Sequence, residues 1–335
     1  MSTQKDVAKL ANVSSATVSR YINKVGYISP EVKNRILAAI NQLGYKPNLL
    51  ARSLKLKKSH IIGLIFPDID NPFFIELVKS VEIEAHALGY NVIFCNTQND
   101  PAEERIYIEM LSGKLVDGYI IIPSLSNNPE SYDVLLGQKV VFLDRTCGLD
   151  NEISILLDNS FGVESAVSYL AGLGHRRIGS VHVPTDVTTG FERFVSFMKS
   201  CKKHGLDDNE ELIKKADFTI ESSYRNTLEL LDLEKPPTAI ISMSGLTTIG
   251  SLRAIREKEL NIPNDISVIG FDEFEYMPLF DPPVTTVIQP VSEFGKEAVK
   301  LLYGLLQGKR VKKRKTVLKP KLLIRESCKK VGVKN

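Results

Sequence analysis

The sequence predicts two architectures in one chain: an N-terminal all-α helix-turn-helix domain with a hinge helix, then a two-lobed, doubly wound α/β domain. Three observations predict this. Residues 3–23, TQKDVAKLANVSSATVSRYIN, carry two short helical periods around a tight turn. Residues 45–60, YKPNLLARSLKLKKSH, form a basic connector containing Pro47. From Ile61 onward, short β-rich apolar runs alternate with amphipathic helical stretches, and the alternation restarts after residue 158. At 335 residues the chain is long enough for two or three domains.

In the first domain, Thr3 and Asp6 have the spacing of a capping box, which satisfies free amides in a first helical turn. Val7, Leu10 and Ala11 recur at i, i+3 and i+4 as an apolar stripe. Asn12 and Val13 make the turn, Asn being one of the few non-glycine residues that tolerate a left-handed backbone. Ser14 caps the second helix, which buries Val18 and Ile22. Its opposite face carries Ser15, Ala16, Ser19, Arg20 and Asn23. Apart from Arg20 these side chains are short, so the face can lie close against a flat polar surface such as a DNA major groove. Ser29-Pro30 opens a third helix with an apolar stripe of Val32, Ile36, Ile40 and Leu43, and Gly44 ends it. These elements set a domain at 1–45 and a hinge at 46–59. The hinge has a short helix near Asn48 that orders only against a partner chain, DNA or both, because so short an isolated helix is marginal in water.

The remaining residues, 60–335, form the two lobes. Strands are expected at IIGLIF (61–66), NVIFC (91–95), DGYIII (117–122), KVVFLD (139–144) and ISILLD (153–158), with helices near 72–88, 101–113 and 129–136 between them. The second series runs through helix 159–173, strand 176–183, helix 189–204, a strand near 214–218, helix 222–231, strand 238–243, helix 246–258 and strand 266–272. Helix 291–307 and the terminal KLLIRES (321–327) are expected to return to the first lobe. Lobe 1 is then about 60–158 plus 291–327, and lobe 2 about 159–290.

Charge is divided unevenly. Residues 1–60 hold eleven Lys and Arg against Asp6 and Glu31, a net +9, so the overall +3 leaves −6 for the rest. A basic head on an acidic body points to a polyanion partner for the head alone. The four cysteines (95, 147, 201, 328) show no CxxC pair, which suits reduced thiols packed as small hydrophobes in the cytosol. No N-terminal apolar core precedes a cleavage site, and no stretch approaches the roughly 20 apolar residues of a membrane span. An enzyme reading finds neither a GxGxxG opening a helix after the first strand nor a GxxxxGK[ST] loop. The five histidines (60, 86, 175, 182, 204) show no HExxH, so neither a metal nor a cofactor is expected, and His175 reads as structural. RVKKRK (310–315) reads as a solvated loop between helix and strand.

Taken in order, KDVAKLANVSSATVSRYIN, LGYKPNLLARSL, DIDNPFF, VDGYIIIPS, LAGLGHRRIG, ISVIGFDEF and PPVTTVIQP resemble the LacI/GalR family of bacterial transcription regulators nearly end to end. The resemblance implies lobes like those of periplasmic sugar-binding proteins, and a second helix that reads operator bases through Ser15, Ala16 and Arg20. Arg can bond guanine bidentately and Ala can touch a thymine methyl. It further implies that Thr3, Ser14, Thr17, Ser19, Asn23, Tyr45 and Asn48 lie near the backbone or groove, fixing register. Leu54, with Ala51 beside it, matches the minor-groove wedge of the hinge helix. For the cleft it implies an effector site at Phe73, Phe74, Asp144, Arg193, Phe218, Ser244 and Asp272. Asp144 and Asp272 each end a predicted strand, where open α/β sheets bind ligands. One departure stands out: Ser244-Gly245 replaces the Asn-Asp that family members usually carry, which puts effector chemistry at that spot in question.

The expectation is a cytoplasmic, DNA-binding repressor of carbohydrate-utilisation genes. It would act as a homodimer on a pseudo-palindromic operator, under a sugar-like effector in the interlobe cleft. The chain stops soon after KLLIRES without a heptad tail, which favours a dimer over a tetramer. The alternatives are a regulator governed by a protein co-regulator and a sugar-binding protein without a regulatory role.

Overall fold

In a computed structural model of the protein, the described residues are 2–23, 25–45, 58–113, 115–125 and 129–332. The chain divides into two compact units, Met1–Ser59 and His60–Asn335.

Among its described residues the first unit holds three helices, α1 (Gln4–Leu10), α2 (Ser15–Asn23) and α3 (Pro30–Leu43). Thr3 and Asp6 form the reciprocal capping box at α1. The Ser14 hydroxyl accepts the Thr17 amide at the start of α2, and Asn12 turns the chain at φ 54°. Ser29 caps α3 with Pro30 in its first turn, and Gly44 closes it at φ 56°. The core joins Val7, Ala8, Ala11, Val18, Ile36 and Ala39, with Ile22, Ile40, Leu43 and Tyr45 packed against it. Leu10, expected on the buried stripe, is 45% exposed. Ala8 takes the place beside Val7 because α1 is only seven residues long and its inward stripe is narrow.

The second unit is built on two six-stranded sheets. The first has the order β11-β5-β4-β3-β1-β2 and is wholly parallel. Its strands are β1 (Ile61–Phe66), β2 (Asn91–Asn96), β3 (Gly118–Ile121), β4 (Val140–Leu143), β5 (Ser154–Leu157) and β11 (Lys315–Leu318). The second has the order β12-β10-β9-β8-β6-β7, parallel except where β12 runs against β10. Its strands are β6 (Ile178–His182), β7 (Ile213–Lys215), β8 (Ala239–Ser242), β9 (Ser267–Phe271), β10 (Thr285–Ile288) and β12 (Lys321–Leu323). Side chains alternate between faces as the pleat requires. Leu64, Ile120 and Val141 point to one core, while Ile65, Ile121 and Phe142 point to the other. Ile241 and Ile269 likewise face away from Ile240 and Val268.

Helices α4 (Pro72–Ala87), α5 (Pro101–Ser112) and α10 (Val291–Leu306) accompany the first sheet. Helices α6 (Asn159–Gly172), α7 (Thr188–His204), α8 (Ile220–Leu231) and α9 (Gly245–Glu257) accompany the second. The helix expected near 129–136 is a 3-10 segment, Pro129–Leu135, that packs Tyr132 and Leu135 under α5. α10 returns to the first sheet, but KLLIRES does not. Only Lys321–Leu323 of it is a strand, and that strand closes the second sheet, pairing Thr286 with Leu323. The residues after it are bound to the same lobe: Ser327 Oγ donates to the Val268 carbonyl at 2.6 Å, and Arg325 grips Glu273 with both terminal nitrogens. Lobe 1 therefore ends with β11. The chain crosses between sheets after β5, after β10 and after β11. Gly162 sits at the crossover, where an added Cβ would meet Val287 and Pro320 at about 3 Å.

Candidate functional site

Two sites take shape, one in each unit. On α2, Ser15, Ala16 and Arg20 are exposed, Ser19 is half-buried, and Val18 is fully buried behind them. Ser14 and Thr17 are tied by a 2.9 Å hydroxyl contact, and Gln4 Nε2 bonds the Ser15 carbonyl across the turn at 3.2 Å. The first closes the opening turn of α2, and the second ties that turn to α1. Thr3 is exposed, and Tyr45 is half-buried against the small core. Asn48, Ala51 and Leu54, together with the side chain of Asn23, lie outside the described residues.

The second site lies between the two sheets, at their carboxyl ends, where strand-end geometry leaves a crevice. It brings together all seven expected residues: Phe73, Phe74, Asp144, Arg193, Phe218, Ser244 and Asp272. Asn71 caps α4 by accepting the Phe73 amide at 3.1 Å, which presents the Phe73 and Phe74 rings edge to face, 5.1 Å apart. Asp144 follows β4 at φ 60° and Asp272 follows β9 at φ 71°. A non-glycine residue in that region costs free energy and persists where the surroundings enforce it, commonly at ligand sites. Arg193 donates from Nε to Asn159 at 2.8 Å and from Nη1 to the Met243 carbonyl at 2.6 Å, and its guanidinium lies 3.7 Å from the Phe271 ring centroid.

The Ser244-Gly245 step has a definite task. The Ser244 hydroxyl accepts the Thr247 amide at 3.2 Å, and Thr247 Oγ1 accepts the Ser244 amide at 2.8 Å, so the pair caps α9. The Gly245 amide donates to Asp272 Oδ2 at 2.9 Å, and an added Cβ there would meet the Phe274 ring at 3.0 Å. This step therefore orients Asp272.

Six lining residues escaped the sequence reading: Asn71, Arg145, Val183, Thr189, Leu246 and Gln289. Gln289 Nε2 donates to Asp272 Oδ1 at 2.6 Å. Arg145 is buried, donating from Nη1 to the Pro123 carbonyl at 2.9 Å and to the Ser124 carbonyl at 3.2 Å. Its guanidinium lies 5.7 Å from the Phe74 ring centroid and 5.3 Å from that of Phe218. Burial pushes the Asp144 carboxyl above its ordinary range, against the pull of Arg145 and Arg193, and pushes both guanidinium groups below theirs. Among the described residues, three buried polar atoms of this site have no hydrogen-bond partner: Asp144 Oδ1, Arg145 Nε and Gln289 Oε1. A buried polar atom without a partner is costly unless something else satisfies it.

Elsewhere, His175 bonds Thr238 Oγ1 at 2.8 Å and the Lys329 carbonyl at 3.1 Å, which pins strand ends in lobe 2. The 310–315 run is largely exposed between α10 and β11. Among the described residues no group of three His, Cys, Asp or Glu converges to hold a metal, and no helix is long and apolar enough to cross a membrane.

The signature of the bacterial regulatory proteins, lacI family, matches residues 3–48, and that of the periplasmic binding protein-like domain matches residues 167–328. The chain is 35% identical over 336 residues to an HTH-type transcriptional repressor PurR of Mannheimia succiniciproducens, covering 99% of this chain and 100% of that one. It superposes on the lac repressor dimer bound to operator and the anti-inducer ONPF with a TM-score of 0.87, at 26% identity over 98% of this chain and 99% of the other. On a transcriptional regulator CelR-cellobiose complex the TM-score is 0.74, at 28% identity over 98% and 100% of the two chains. The chain belongs to the lacI family of bacterial regulatory proteins, and it is a DNA-binding transcription regulator, not an enzyme.

Proposed function

We propose that the protein is a cytoplasmic repressor of carbohydrate-utilisation genes that binds a pseudo-palindromic operator as a homodimer. An uncharged, hydroxyl-rich ring such as a sugar would control it from the cleft. The observation that carries the ligand class is the set of unsatisfied atoms there: two acceptors, Asp144 Oδ1 and Gln289 Oε1, and one donor, Arg145 Nε. A polyol supplies hydroxyls to the first two and an oxygen to the third. The cleft already holds two carboxylates and two guanidinium groups, formally neutral, so an added charge would have no counterion and would cost heavily to bury. A second reading, a flat heterocycle with ring N–H donors, is favoured by the Phe74 and Phe218 faces beside the Gln289 amide. Control by a protein co-regulator loses its motive, because Ser244-Gly245 serves Asp272 and does not leave the cleft without ligand-binding groups.

At the DNA, Ser15, Ala16 and Arg20 would read bases. Thr3, Ser14, Thr17, Ser19, Asn23, Tyr45 and Asn48 would fix register, and Leu54 beside Ala51 would wedge the minor groove. Ligand binding would change lobe closure and shift the DNA-competent population. Cytoplasmic action follows from the partner, since bacterial operator DNA lies there.

With sugar phosphates and sugar acids as charged controls, a thermal-shift screen of the full chain against neutral sugars and free nucleobases tests the ligand class. A saturable rise with one of these sets, abolished by Phe218→Ala, is the expected result. Hits confined to sugar phosphates or sugar acids would overturn the uncharged-ligand reading.

A further inference from the structure

A second cavity, of about 660 Å³, lies in lobe 1 at the opposite end of α4 from Phe73 and Phe74. Small-molecule pockets measure roughly 300–1,000 Å³, so this one is of ligand size. Its walls are the end of α4, one face of α10 and the 309–313 loop, which the sequence assigns to solvent. The floor is apolar: Val299 is 1% exposed, with Leu88, Tyr303 and Val311 around it. The rim is cationic, with Lys296, Lys300, Lys309, Arg310, Lys312 and Lys313 set against Glu84 and Glu297. Lys300 pairs with Glu297 at 3.0 Å, and among the described residues the other rim cations make no ion pair. The loop is held at both ends. The Lys309 amide donates to the Gly304 carbonyl at 2.9 Å, and Arg314 Nη1 donates to the Asn151 carbonyl at 2.6 Å.

We propose that this cavity is a second ligand site, for a small anion with an apolar body, such as an alkyl phosphate or carboxylate. Like charges gathered around one concavity repel one another and focus a positive potential into it, and an anion relieves the first by using the second. In a body of net −6 this concentration of cations is local, so overall charge does not explain it. The floor selects against two other anions. A bare inorganic ion has no hydrocarbon to cover Leu88 and Val311, and a DNA backbone is too hydrated to do so. The apolar body would lie on Val299 and Tyr303 while the head group takes the rim lysines. An occupant would therefore touch the helix whose first turn presents Phe73 and Phe74 to the cleft. The inference is independent of what fills that cleft.

The test is a calorimetric titration of the full chain with octyl phosphate and with octanoate, each below its micelle concentration. Octanol supplies the apolar body without the charge, and inorganic phosphate the charge without the body. The expected result is saturable binding of octyl phosphate, octanoate or both, weakened by added salt, with none for octanol or inorganic phosphate. Binding of octyl phosphate alone fixes the head group as a phosphate, whereas binding of both shows that any compact anion serves. Gly304→Trp should abolish binding. Among the described residues a Cβ there meets only Lys309 Cδ, at 4.0 Å, so the ring fills the cavity without disturbing the core. Lys312→Glu/Lys313→Glu should weaken binding by about tenfold or more, and both side chains are exposed, so this variant serves if the first does not fold. Phe218→Ala should leave binding unchanged, which separates this site from the cleft. Octanol or inorganic phosphate binding as tightly as octyl phosphate overturns the proposal, as does binding that survives Gly304→Trp or no saturable binding at all. Sedimentation without ligand should be the same for wild type and Gly304→Trp. A smaller assembly for the variant would mean that a second copy of the chain covers the groove, and would overturn the small-ligand assignment.

Discussion

Arg20 projects from the exposed face of α2, while Val18 on the opposite side is fully buried, so the helix cannot rotate to hide it. If Arg20 bonds a guanine, Arg20→Ala should weaken specific operator binding by about 1–3 kcal/mol and leave binding to random DNA almost unchanged. Competitive titrations against the two DNAs check this; equal losses on both would reduce Arg20 to a phosphate contact. A second residue-scale expectation concerns His182, fully buried against Phe194 and Phe197, with Nε2 on Ser180 Oγ at 3.0 Å. Burial, helped by Lys215, lowers its pKa to about 3 from the ordinary 6.5. Between those values the unfolded chain binds a proton that the folded chain does not, so stability rises with pH across that window and is level above it. Urea unfolding should show His182 contributing about 2 kcal/mol of the loss between pH 7.5 and pH 5. His182→Phe should remove that part of the slope, and an unchanged slope would rule the assignment out. Legibility also varied by residue. Asp144 and Asp272 were readable because each ends an apolar run, where the sheet rule places ligands. Arg145 was not, because a charged residue just past a strand has the same sequence signature as a solvated turn, and only burial distinguishes them.

At the scale of elements, α10 and α4 pack closely because Gly295 faces Ser80, whose hydroxyl bonds the Ser292 carbonyl at 3.2 Å. A Cβ on Gly295 would stand 2.2 Å from Ser80 Oγ and 2.8 Å from the Ser80 carbonyl carbon. The backbone cannot yield as a flexible side chain would. Gly295→Ala should therefore destabilise the second unit by about 1–3 kcal/mol despite the better helix propensity of alanine. Gly172, at the end of α6, has nothing within 4 Å of such an atom. Gly172→Ala should be neutral or stabilising by up to about 1 kcal/mol. Denaturant midpoints of the two variants separate packing from propensity, and equal effects would contradict the packing account. The strand–helix alternation was legible because its periods differ so clearly. Strands β10 and β11 were not, since four residues beside Pro-Pro or a lysine run carry too little pattern. The destination of β12 depended on a single antiparallel pairing with β10, which no local period encodes.

At the scale of the molecule, the two units divide the labour that the charge distribution announced: a basic head of net +9 and a body of net −6. The body's chain crosses between its sheets three times, and one apolar cluster runs from Leu64 and Phe73 of lobe 1 to Ile241 and Phe271 of lobe 2. Phe74, Asp144 and Arg145 come from lobe 1, whereas Arg193, Phe218 and Asp272 come from lobe 2, so filling the cleft would engage both lobes in one event. That the head's grip on DNA follows this event is the central claim. Its most direct test is an anisotropy titration of labelled operator with the full chain, with and without a saturating cleft ligand found by thermal shift. A change in operator affinity of about 5–150-fold, absent in Phe218→Ala, is expected for a coupled regulator. An operator affinity unmoved by a ligand that demonstrably fills the cleft would contradict the account.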